Sequence, residues 1–206
     1  IKDFEKSLPK LKNKKVASIL KKAYQDVTFE ESPRKNSFFV SEDKKKNIKN
    51  TIFLAKSATP STIAHELFHK VDYDNEISRN RLLVDCINSD YENLKKIAEN
   101  AGLSIEDMLY LRYPKAFEKK GRMKTEYRGF SDIIHGMTLR KVDLGYGHRK
   151  VGYWEEPLRL QKETFAQYGR FYYENNPKVI KLVNEMLPET SKQMEIIINM
   201  IIKFGG

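Results

Sequence analysis

The sequence predicts an α+β fold that is mostly helical. A small sheet near the N-terminus packs on one histidine-bearing helix, and a helical C-terminal part follows. Three observations carry this expectation. Short β-prone runs are confined to the first 54 residues. A Thr59-Pro60 helix start leads directly into an apolar-flanked His65-Glu66-Leu67-Phe68-His69. From residue 80 onward apolar residues recur mainly at helical spacing.

Taken in order, Val16, Ile19, Leu20 and Tyr24 predict a first helix over 12–25. Residues 27–29, 37–40 and 51–54 read as strands, separated by Pro33-Arg34-Lys35-Asn36 and by a polar stretch rich in Lys. Thr59 is placed to cap a helix with Pro60 at its first position, running to about Asp72. Further helices are expected at 80–99, 105–118, 130–138, 157–174, 178–186 and 189–203, with a Gly- and aromatic-rich loop or hairpin at 140–153. The reading is one domain. It has a basic part at 1–50, a helical insertion at 74–128, and C-terminal helices at 155–206.

Composition narrows the function classes. The 206 residues carry 38 Lys and Arg against 28 Asp and Glu, a net charge of +10. Residues 1–50 hold 14 basic and 7 acidic side chains. The Lys44-Lys45-Lys46 run is not interleaved with aromatics as a base-stacking surface is, so a solvated arm or a junction to an upstream domain is preferred over nucleic-acid contact. The chain opens on Ile1 rather than Met, which suits a piece of a longer protein. No apolar run reaches the roughly 18–20 residues of a membrane span; residues 196–202 read as part of a buried C-terminal helix. The single cysteine, Cys86, excludes an internal disulfide and a Cys-ligated structural metal, and is expected in the core. The lack of an apolar span and the single thiol favour a cytoplasmic location.

His65 and His69 lie four residues apart, which on a helix puts both imidazoles on one face. Both can then bind one zinc ion, and Glu66 can act as general base towards zinc-bound water attacking a carbonyl. Two buried histidines one turn apart also need a shared partner. Asp72 follows His69 by three residues and is placed to accept the free ring N–H of a ligating histidine. A catalytic zinc needs a third protein ligand. Asn75 breaks the HExxHxxGxxH spacing, so a later carboxylate is expected: Glu163 first, with Glu155, Glu156 and Glu174 as rivals. An oxyanion donor is sought among Tyr153, His148 and Tyr146, in that order, and the loop 146–154 is expected to line the substrate cleft.

The string from His65 to Asp72, followed by Glu163-Thr164-Phe165-Ala166-Gln167, resembles the gluzincin zinc metallopeptidases, the anthrax lethal factor catalytic domain among them. Ser131-Asp132-Ile133-Ile134, Gly145-Tyr146-Gly147-His148 and Tyr153-Trp154 also resemble metallopeptidase-like domains of phage minor head proteins and mobile-element effectors. The resemblance covers about residues 50–205. It implies a zincin-like fold, a zinc ion on His65, His69 and Glu163, Glu66 as base, and a protein or peptide substrate. A catalytically silent scaffold in phage head assembly or interaction is the alternative, and the phage resemblance implies a virion-associated location as well as a cytoplasmic one. Two departures stand out: Phe68 where a small Gly is common, and Gln167 where the pattern has a second acidic residue.

Overall fold

The protein is described by a computed structural model that covers residues 1–43, 45 and 49–204. It is mostly helical with a small sheet. The elements that build it are α1 (Lys2–Ser7), α2 (Lys14–Gln25), β1 (Thr28–Glu31), β2 (Phe38–Val40), β3 (Thr51–Leu54) and α3 (Pro60–Asn75). Then come α4 (Arg81–Asn100), α5 (Ile105–Arg112), a hairpin of β4 (Phe117–Lys119) and β5 (Arg122–Met123), and α6 (Arg128–Met137). The chain closes with α7 (Val151–Trp154), α8 (Arg159–Glu174), α9 (Pro177–Met186) and α10 (Pro188–Phe204). Among the described residues no helix is long and apolar enough to cross a membrane.

β3 is the middle strand of the first sheet. It pairs in parallel with β1 (Phe29 opposite Ile52) and antiparallel with β2 (Phe39 opposite Ile52), which leaves β2 at an edge. α3 starts as the sequence predicts. Thr59 and Thr62 form a reciprocal capping box and Pro60 occupies the first turn. Its buried residues run from Ile63 to Phe68 without a break, so this helix is covered nearly all round.

α8 packs along α3, and one glycine sets their approach. A Cβ on Gly169 would overlap the Phe68 ring. Phe68, fully buried, therefore sits in a notch on α8, its ring tilted against Phe165 at 5.1 Å. The small residue missing beside His69 is supplied by the facing helix instead. Gly169→Ala is expected to destabilise the chain by about 1–3 kcal/mol through overpacking. Urea unfolding of the single variant and of Gly169→Ala with Phe68→Leu should show a smaller loss in the pair.

Several expectations are corrected here. The N-terminus is not a loose arm: Phe4 on α1 is fully buried, its ring between Tyr24 at 5.8 Å and Tyr173 at 5.5 Å. One buried residue in six gives no period to read. Lys44 and Lys46 of the basic run lie outside the described residues. The helix expected over 105–118 ends at Arg112, because a residue before proline is driven out of the helical region; Tyr113 takes φ −130°, ψ 54° ahead of Pro114. Residues 140–153 form no hairpin but an irregular loop that enters the short α7. Cys86 is half-buried on α4 rather than in the core, and burial raises its thiol pKa.

α4, in the stretch read as an insertion, packs on α10. Its buried Asp90 accepts the Glu189 and Thr190 N–H groups at 3.1 and 2.8 Å, capping α10 from a hundred residues away.

Candidate metal centre

α3 presents His65 and His69 to α8, and α8 returns Glu163 between them. His65 Nε2 lies 3.5 Å from Glu163 Oε2, and His69 Nε2 lies 3.6 Å from Glu163 Oε1. The imidazoles stand nearly perpendicular, with centroids 4.8 Å apart. Donor atoms 2.0–2.2 Å from one tetrahedral centre are about 3.3–3.6 Å from each other, so the spacing fits a shared cation. The polar accounting points the same way. Glu163 is 2% exposed, and its Oε2, which faces His65 Nε2, has no hydrogen-bond partner. A buried carboxylate oxygen left so wants a positive charge beside it.

The electrostatics of the bare cluster follow from burial and from Glu163. Burial, helped by the Arg170 charge, pushes His65 down to about 4. Burial also lowers His69, but the Glu163 carboxylate and its hydrogen bond outweigh that and leave His69 raised. Burial would raise Glu163, yet the two imidazoles hold it well below the usual carboxylate range. Glu66, 5% exposed beside the cluster, is pushed up to about 7 by burial.

A second constellation meets the first. Tyr153 donates a short hydrogen bond to Glu163 Oε1, and its ring stacks on His148 at 3.9 Å and 7°. Burial, then the Glu163 charge, raises the Tyr153 phenol. His148 Nδ1 lies 3.1 Å from Asp132 Oδ1, and the His148 backbone N–H donates to the same oxygen at 3.0 Å. Burial lowers His148, but the Asp132 hydrogen bond and charge more than offset it. Gln167 Nε2 donates to Asp132 Oδ2 at 2.7 Å, and Arg170 Nη1 donates to Gln167 Oε1 at 2.8 Å. One connected path thus runs from His148 through Asp132 and Gln167 to Arg170.

The amide at 167 suits its place. It must donate to a carboxylate and accept from a guanidinium at once, which the two ends of an amide do and a second carboxylate cannot. Gln167→Met removes both bonds while keeping the shape. It is expected to cost about 1–3 kcal/mol in urea unfolding, because it strands two buried polar groups.

The loop that carries His148 is tied to α6. The Ser131 hydroxyl donates to the Tyr146 carbonyl at 2.7 Å, and His135 Nε2 lies 3.0 Å from Asp143 Oδ1. His135 is 2% exposed, a core histidine. Gly147, at φ +127°, runs so close to α6 that a Cβ would sit 2.7 Å from Asp132 Oδ1. Only glycine allows that approach.

The remaining candidates sort by position. Asp72 Oδ1 accepts the Ser78 N–H at 2.5 Å; no hydrogen bond joins it to either site histidine among the described residues, and it acts on His69 through its charge. Tyr146 does not reach the cleft: its hydroxyl meets Thr125 at 2.9 Å and its ring lies under Arg122. Glu156 pairs with Arg159, and Glu174 lies 3.5 Å from Arg128. Glu155 is exposed. None of these three rivals joins the histidines among the described residues.

Sequence reasoning assigned no role to Asp132, Gln167 or Arg170. Asp132 had a signal, a lone carboxylate within the apolar run Phe130–Met137. Gln167 had one only as a departure from a pattern, and Arg170 had none.

The site opens on a cleft of about 890 Å³ lined by residues of α3, α8, the His148 loop and the β2 edge. Comparison with protein-family models, curated proteins and solved structures finds no match.

Proposed function

We propose that this chain is a zinc-dependent endopeptidase domain of the gluzincin type on a zincin-like scaffold. The observation that carries the reading is Glu163 seated between the two HExxH imidazoles at 3.5 and 3.6 Å, with Glu66 beside them at an open cleft. His65, His69 and Glu163 would hold the zinc. When bound, it supplies Lewis acidity towards a carbonyl and lowers the pKa of water.

The chain's own residues divide the remaining work. Glu66, held near neutrality by burial, can take a proton from the attacking water and return it to the leaving amine. His148, whose pKa Asp132 raises, is the better donor to the developing oxyanion, because the Tyr153 hydroxyl is already given to Glu163. This reverses the order expected from sequence. Tyr153 instead positions the ligand carboxylate. The peptide class is supported by β2. It is an edge strand, and Ser37, Phe38 and Phe39 line the cleft, so an extended chain can pair along it.

The test is hydrolysis of unfolded proteins by the zinc-loaded chain, followed by mass spectrometry. Cleavage should stop with a zinc chelator and return when zinc is restored. Bound zinc without cleavage would leave the silent scaffold, with a role in phage head assembly or interaction; no bound zinc would overturn the peptidase.

A further inference from the structure

Five cations and five acids line the cleft, and three of the cations stay outside its internal ion pairs. The cations are Arg34, Arg79, Lys150, Arg159 and Lys162. Two are spent locally. Arg79 lies 2.5 Å from Glu76, and Arg159 pairs with Glu156. Arg34, Lys150 and Lys162 form no ion pair among the described residues. Of the acids, Glu76 and Glu156 sit in those pairs and Glu66 and Glu163 at the histidine cluster, while Asp72 accepts the Ser78 N–H and feels the charge of Lys162.

The three unpaired cations come from different elements around the cluster. Arg34 precedes the edge strand β2. Its turn is closed by Ser32 Oγ, which donates to the Asn36 carbonyl at 2.7 Å and accepts the Arg34 N–H at 3.1 Å. The guanidinium sits 5.0 Å over Phe38, whose ring stacks at 4.8 Å on Phe53. Lys162 is half-buried on α8, next in sequence to Glu163, and Lys150 is exposed at the start of α7, three residues before Tyr153. A chain paired along β2 would lie in this field.

We infer that the substrate is an acidic peptide segment, with Asp or Glu side chains flanking the scissile bond. This rests on the peptidase reading above and adds its substrate class. The edge strand β2 favours a peptide over a nucleic acid as the anion. Phe38 lies under Arg34 and Tyr153 lies between His148 and Arg159, while the other cleft aromatics, Phe39 and the half-exposed Tyr73, meet edge-on at 6.2 Å rather than as a stacking platform. A solvent-facing ion pair contributes a factor of up to about five, and three such pairs give a preference of about tenfold or more. That preference fades with salt.

The experiment compares a fluorescent peptide carrying Glu and Asp on both sides of an apolar centre with its Gln and Asn twin. Binding is read by anisotropy on the zinc-loaded Glu66→Gln chain and on the metal-free wild type, at low and high salt. The acidic peptide should bind about tenfold tighter at low salt, with the gap closing at high salt. The combined Arg34→Glu, Lys150→Glu, Lys162→Glu variant should lose or invert the preference. Lys150→Glu alone, at an exposed position, should reduce it. Equal binding of the twins overturns the inference, as does a single-stranded oligonucleotide of equal charge outcompeting the acidic peptide. The two readings fail separately. Preferred binding with no cleavage by the wild type sinks the peptidase and keeps the charge preference; equal binding and equal cleavage of both peptides does the reverse.

Discussion

Glu66→Gln is expected to lower kcat by about a thousandfold or more while leaving the metal site loaded. The amide fills the same buried space but cannot take a proton. Glu66 ligates nothing in this arrangement, so zinc content should not change. The pH dependence gives the same residue a second test. Burial pushes the Glu66 carboxyl up to about 7, and a cation beside it pulls that value down. Since the base form is the ionised one, kcat/KM should fall as pH drops through a midpoint at or below about 7. That acid limb should be missing from the residual activity of Glu66→Gln. Steady-state kinetics across pH, with zinc measured on the same samples, checks both.

Glu163→Ala is expected to weaken zinc binding by more than about a hundredfold, since it removes a ligand and not merely a group behind one. It should also change how binding depends on pH. In the metal-free chain His69 is raised above its ordinary value because Glu163 faces it. Zinc must displace that proton, so affinity should fall by about tenfold per unit as pH drops below the raised His69 value. Without Glu163 the His69 value drops and the proton release at neutral pH shrinks. Linkage fixes the companion effect on stability. A raised histidine contributes stability that is fully present below its unfolded value and lost as pH rises through the folded one. Glu163→Ala should therefore destabilise the metal-free chain more in mild acid than in alkali. Calorimetric titration in buffers of differing ionisation enthalpy reads the protons released.

What could be read in advance depended on distance along the chain. The HExxH helix was legible because four-residue spacing, the Thr59-Pro60 start and the flanking apolar residues are all local. Glu163 stood first among the later carboxylates from its place on an amphipathic helix, and the resemblance added to that; in space, the packing of α8 on α3 separates it from Glu156 and Glu174. The path from His148 to Arg170 was not legible, since Gln167 and Asp132 meet across 35 residues by an approach that no local pattern encodes. The Phe68 departure likewise made sense only beside Gly169, its steric complement a hundred residues on. Tyr146 looked like His148 and Tyr153 in sequence, and the turn at Gly147 sends it to the other side of the loop. The end of α5 was legible in principle from Pro114, whose effect on Tyr113 outweighed the helical tendency of residues 113–118.

The central claim is a single metal held by His65, His69 and Glu163. Metal analysis with zinc-edge X-ray absorption on the purified chain tests it most directly. One zinc per chain is expected, with imidazole nitrogen and carboxylate oxygen ligands at about 2.0–2.2 Å, and its loss in His65→Ala, His69→Ala and Glu163→Ala. A chain that holds no zinc after exposure and dialysis, or whose zinc is undiminished in those three variants, contradicts it.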